Sequence, residues 1–150
     1  MKFIVAFIQV LVFVGTAVAI DECPKAATYN FFSNAFLSEE TGDVGGLDLA
    51  LTPTKGQGYE ALLFVYEGVA NKDGISLVGD REGSEISLHG DWREELVEYP
   101  GKRHITQTRP VKLDGKMSED GFRGKIQIGS DSRQISLHRV RQIWLCKHSN

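Results

Sequence analysis

The chain has 150 residues, a quarter of them charged, and a formal net charge of −3. That size holds one domain with a modest core. The mildly acidic balance disfavours nucleic acid and anionic membrane as partners, because both reward a basic face.

In chain order, residues 1–19 read as a secretory signal peptide. Lys2 supplies the positive start, Phe3 to Val14 is apolar apart from Gln9, and Gly15 and Thr16 break the run. Ala17-Val18-Ala19 then gives the small–x–small pattern of a signal peptidase site. A membrane anchor would need about 20 apolar residues and a basic flank. Here Asp21 and Glu22 follow, and Lys25 stands alone. The expectation is cleavage near Ala19, delivering residues 20–150 as a single secreted or periplasmic β domain. No membrane span would remain, and the formal charge would be about −4 once Lys2 is lost. Cys23 and Cys146 then lie near the two ends of the mature chain. In an oxidising compartment an isolated pair reads as one disulfide. Closing so long a loop removes on the order of 4–5 kcal/mol of unfolded-chain entropy.

Tyr29 to Leu37, with three phenylalanines among Asn and Ser, fits a short helix or an opening strand. Beyond it, apolar residues recur at a period of two. Leu47, Leu49 and Leu51 alternate with Asp48 and Ala50, and Pro53-Thr54-Lys55-Gly56 ends the run. Further strands are predicted at 59–67, 75–78, 86–89, 104–113, 122–128 and 134–140. Turns are predicted at Glu82-Gly83, Asp114-Gly115, Asp120-Gly121 and Gly129-Ser130-Asp131. Short strands so spaced predict a mostly all-β fold, an antiparallel meander closing as a small barrel or packing as a sandwich. Asp91 to Tyr99 is the exception. Asp91 and Glu94 form a capping pattern, Trp92, Leu96 and Tyr99 recur at helical spacing, and Pro100-Gly101 follows. The spacing predicts one short helix near 91–99, with a β-hairpin arm as the alternative.

The strand at 59–67 is apolar on both faces, with Ala61, Leu63 and Val65 on one and Leu62, Phe64 and Tyr66 on the other. A strand with one wet face would not be. Something must cover the second face: the protein's own helix or N-terminal arm, a neighbouring subunit, or a bound apolar ligand. Leu62, Phe64 and Tyr66 are therefore the candidate ligand-binding residues.

Catalytic and cofactor signatures are missing. Ile-Ser-Leu-His occurs at 86–89 and 135–138, so His89 and His138 could meet at a metal, yet no third ligand is signalled. They read as solvent-facing strand histidines. No G-x-S-x-G elbow, G-x-G-x-x-G or P-loop is present. Asp91, Glu94, Glu95 and Glu98 read as a wet helix face. Lys102-Arg103-His104 with Arg109 reads as solvated strand charge. No catalytic residue, metal or cofactor is assigned.

The run Gly115-Lys116-Met117-Ser118-Glu119-Asp120-Gly121-Phe122-Arg123-Gly124-Lys125-Ile126, followed by Ile135 to Val140, reads as strand, turn, strand and final strand. This resembles the closing hairpin of small bacterial secreted proteins of lipocalin-like (calycin-type) architecture, over about a quarter of the chain. It lacks the G-x-W of lipocalins, since Trp92 and Trp144 lie elsewhere. The resemblance implies a small barrel able to hold an apolar ligand, and no site residues.

Three functions fit. A secreted barrel binding a small apolar ligand predicts an internal pocket walled by Leu62, Phe64 and Tyr66, or by the residues opposite them. An extracellular protein-binding module, such as an enzyme inhibitor, predicts a filled core and an exposed aromatic and charged patch. A metal-dependent or hydrolytic enzyme requires His89 and His138, or the acidic cluster, to converge in a cleft.

Overall fold

The alternation of apolar and polar residues is the inside–outside alternation of a barrel wall. The computed structural model describes residues 18–19, 23–24, 28–68, 73–98 and 103–148. Most of the predicted signal peptide, residues 1–17, lies outside the described residues. The strands are β1 (Val18–Ala19), β2 (Asn30–Ser33), β3 (Phe36–Leu37), β4 (Val44–Pro53), β5 (Gly58–Gly68), β6 (Asp73–Glu82), β7 (Glu85–Glu98), β8 (Arg103–Met117), β9 (Gly121–Ile128) and β10 (Asp131–Val140). A short helix, α1 (Trp144–His148), follows them. From β4 to β10 each strand pairs antiparallel with the next, β10 returns to β2, and β2 pairs with β4. The result is a closed eight-stranded up-and-down barrel. β1 and β3 are two-residue additions on β6 and β4. The opening segment is thus strand, and of barrel and sandwich the chain forms the barrel.

The interior is filled by its own side chains. Phe32, Leu49, Leu63, Leu77, Leu88, Leu113, Phe122 and Ile126 are all essentially inaccessible and form one continuous core. Interlocking apolar packing of this kind leaves little space inside an eight-stranded wall. Arginines lie at both ends. At one end Arg139 lies 5.3 Å from the Phe32 ring, and Arg81 Nη1 donates to the Tyr59 hydroxyl at 3.2 Å. At the other, Arg109 lies 4.4 Å above the Trp92 ring.

Two expectations are corrected. Residues 91–98 form no helix; they are the distal half of β7 and pair residue by residue with 110–103 of β8. Trp92 and Leu96 are four apart, a spacing that a strand of period two satisfies as well as a helix does. The segment is the hairpin arm, and Tyr99 lies outside the described residues. The only described helix is α1, at the other end of the chain. Asp114-Gly115 is likewise no turn, because it lies within β8. Gly115 faces Gly124 across the β8–β9 pair, and a Cβ on either would strike the opposite backbone. The glycine here permits close approach of two strands in a tightly curved wall.

The second apolar face of β5 is covered by the chain itself. Ala61, Leu63 and Val65 enter the barrel core, while Phe64 and Tyr66 join a separate outer cluster with Phe31, Val44, Ala50, Ile143 and Leu145. The C-terminal strap, residues 141–148, lies over this wall. The Cys23–Cys146 disulfide ties it to the N-terminal segment, with Cα atoms 5.7 Å apart. Beneath the strap Asp48 is fully buried. Its Oδ2 accepts from the Tyr66 hydroxyl at 2.8 Å and from the Trp144 amide at 2.6 Å. The carboxylate thereby caps the first turn of α1 from a neighbouring strand.

Burial pushes the Asp48 carboxyl above the ordinary aspartate range, against the opposing pull of Ser33, Tyr66 and the Trp144 and Leu145 amides. Burial, and then the Asp48 charge, push the Tyr66 phenol up as well. For a group whose folded pKa is raised, the stabilisation is complete below the unfolded value and is lost as pH rises through the folded value. Wild-type stability minus that of Asp48→Asn should therefore fall as pH rises from about 3 towards neutrality, by at most about 1.4 kcal/mol per pH unit. Urea unfolding at a series of pH values checks this, and a difference that stays level or rises with pH contradicts it.

Candidate functional site

The barrel has one distinctive end, and the lengths of β7 and β8 create it. β6 accompanies β7 only as far as Gly90, and β9 joins β8 only from Val111. Residues 91–98 and 103–110 therefore project past the ring as a two-stranded arm. Trp92 and Arg109 are register partners at its base. Strand parity turns both towards the barrel mouth, beside Glu67 at the end of β5 and Ile128 at the end of β9.

These side chains enclose a cleft of about 280 Å³, lined by Glu67, Trp92, Arg109, Ile126, Ile128, Asp131, Ser132 and Arg133. Arg109 is its most constrained member. Its guanidinium stacks on Trp92, and Nη2 donates to Glu94 Oε2 at 3.0 Å. Its stem packs beside Gly129, whose amide donates to the Pro110 carbonyl at 2.8 Å. The Nε–H is buried without an acceptor among the described residues. A guanidinium held on an aromatic face loses less entropy when it recruits a further acceptor. The mouth thus combines an apolar floor of Trp92 and the two isoleucines with cations Arg109 and Arg133 and carboxylates Glu67 and Asp131. An arrangement of convergent polar groups over apolar walls suits binding.

Three larger depressions, of about 520, 380 and 300 Å³, lie around Ser87 and Asp114, around His89 and Lys112, and around Gln57 and Tyr59. In the first two, several of the charged groups pair with one another. Ser87 Oγ donates to Asp114 at 2.6 Å, Lys112 pairs with Asp114 at 2.9 Å, and Lys116 pairs with Glu85 at 3.0 Å. Exposed pairs of this kind are ordinary surface.

The residues singled out from sequence are dispersed. Phe64 and Tyr66 are buried against the strap, and Leu62 packs at the edge of the same cluster. Their opposites Ala61, Leu63 and Val65 lie in the filled interior. His89 faces Val78 and Lys112, whereas His138 faces Ser33 and Gly121, on strands separated by β8 and β9. Among the described residues no three His, Cys, Asp or Glu side chains are grouped to hold a metal. Of the acidic cluster, Glu94 enters the mouth through Arg109, on a strand of the arm. Cys23 and Cys146 form the disulfide. The Trp92–Arg109–Glu94 group was not visible in the sequence because its members lie on two strands whose pairing is not local. Asp48 was hidden for another reason: in an alternating strand it is indistinguishable from a solvent-facing residue.

Comparison with protein-family models, with curated proteins and with solved structures finds no match for this chain. The site therefore rests on its own geometry.

Removing the guanidinium should uncover the indole beneath it. In a Trp144→Phe background, Arg109→Ala is expected to shift Trp92 emission to longer wavelength and to lower stability by about 1–2 kcal/mol, from the lost stack and ion pair. Fluorescence and denaturant unfolding measure both. Unchanged emission would mean that Arg109 does not cover Trp92.

Proposed function

We propose that residues 20–150 act outside the cytoplasm as a binding protein that takes a small amphipathic ligand at the barrel mouth, against the base of the hairpin arm. The signal-like composition of residues 1–19 and the clasp between Cys23 and Cys146 support an extracytoplasmic setting. The eight-stranded up-and-down order is that of lipocalin-type barrels, which hold one small ligand. In this chain the interior is occupied by Phe32, Phe122 and the leucines around them, so the ligand belongs at the mouth rather than in the lumen. The observation that carries the reading is Arg109, stacked on Trp92 and anchored by Glu94 at the rim of an apolar-floored cleft. The apolar part of the ligand would lie on Trp92, Ile126 and Ile128. Its polar part would meet Arg109 and Arg133, with Glu67 and Asp131 favouring a group that also carries a donor.

A second reading, an extracellular protein-binding module, gains from the same filled interior and from the projecting arm. Phe36 and Leu37, both more than half exposed, lie at the same end of the barrel.

Mass spectrometry under non-denaturing conditions, on protein recovered from its native compartment, separates the two. A small bound molecule is expected, and it should be lost in the Arg109→Ala and Trp92→Ala variants. Bare protein, or a molecule retained equally by both variants, would contradict the mouth site. A bound partner chain would establish the second reading instead.

A further inference from the structure

The strap and the barrel are built from separate parts. The eight-stranded ring closes through β2, β4 and the strands that follow, with no contribution from residues 141–148 or from Cys23. The barrel core and the outer cluster share no residue: Leu63 belongs to one, Phe64, Ile143 and Leu145 to the other. Within the strap, α1 is five residues long, too short to persist by itself. What holds it down is the seating of Ile143 and Leu145, the Trp144 amide on Asp48, the Tyr66–Trp144 ring contact at 5.7 Å, and the disulfide. The first three amount to two buried aliphatic side chains, one capping bond and one ring contact, and among the described residues no cation partners Asp48, a buried carboxylate, which weakens the site it caps. The disulfide is also within reach, since Cys23 is exposed and Cys146 half-buried.

We propose that the strap is a thiol-releasable cover: opening the Cys23–Cys146 bond frees residues 141–148 from the outer wall and bares Phe31, Leu62, Phe64 and Tyr66 while the barrel stays closed. The chemistry is ordinary thiol–disulfide exchange with an external dithiol. One thiolate attacks a sulfur of the pair to form a mixed disulfide and releases the other cysteine as a thiolate, which takes a proton. The second thiol of the reductant, deprotonated, then attacks the mixed disulfide and frees the remaining cysteine. Two electrons pass to the protein, both cysteines end as thiols, and the reductant ends as its own disulfide. The protein gains an exposed aromatic and aliphatic patch, the kind of surface that binds apolar partners.

Hydrogen exchange at constant pH, before and after treatment with dithiothreitol, tests this, with Cys23→Ser/Cys146→Ser as a reductant-free counterpart. In both the reduced protein and the variant, amides of residues 143–147 should exchange at least about tenfold faster, while those of β9 stay within about twofold. Binding of a fluorescent apolar dye should rise in parallel. Unchanged strap protection would show that the disulfide does not hold the cover. Loss of protection in β9 as well, or failure of the variant to fold, would show that strap and barrel are one unit. Either result overturns the proposal.

Discussion

The structure depends on a strand that is buried on both faces. β5 sends Leu63 into the barrel and its neighbour Phe64 outwards, and both are completely inaccessible. A strand in a small barrel ordinarily has one wet face. Satisfying the second demands another layer, and the chain supplies it from its own C-terminus. From that demand follow the strap, the buried Asp48 that caps α1, and the disulfide that returns the strap to the N-terminal segment. An apolar outer wall left bare would be a sticky surface. The strap converts it into a second, smaller core.

The same demand for filled space moves the proposed binding site. An eight-stranded wall is just wide enough either to be packed by side chains or to hold one small ligand. Here Phe32 from β2 and Phe122 from β9 enter the interior with a full set of leucines and isoleucines. In the proposed reading the barrel serves as a support rather than a container. Its unequal strands carry the variation: β7 and β8 run on past the ring, and their departure at Gly90 and Val111 creates the rim where Trp92, Glu94 and Arg109 meet. A guanidinium held by a ring and a carboxylate is preorganised, as the proposed binding site requires.

Much of the wall was legible in the sequence because burial on one face imposes a period of two. Leu47 to Leu51, Ile86 to His89 and Gln134 to Val140 all lie within strands as their alternation predicts. The double-faced 59–67 segment correctly announced a covering layer, and the cysteine pair announced the clasp. Residues 91–99 were misleading for a definable reason: a four-residue apolar spacing belongs to both periods, and the deciding fact, pairing with 103–110, is not local. Asp114-Gly115 misled because glycine permits close strand approach as readily as it permits a reversal. The mouth was illegible altogether. Trp92 and Arg109 meet only once the arm has folded back, and nothing in either strand marks the encounter.

The central claim is that β5 is buried on both faces by this chain's own side chains, with no ligand or second subunit needed for either. It is tested most directly by the unfolding free energies of Leu63→Ala and Phe64→Ala in refolded, ligand-free, disulfide-bonded protein. Both substitutions should be strongly destabilising, by about 2–5 kcal/mol for the leucine and about 3–5 kcal/mol for the phenylalanine. A loss below about 1 kcal/mol at either position would mean that its face is not covered by the protein itself, and would contradict the claim.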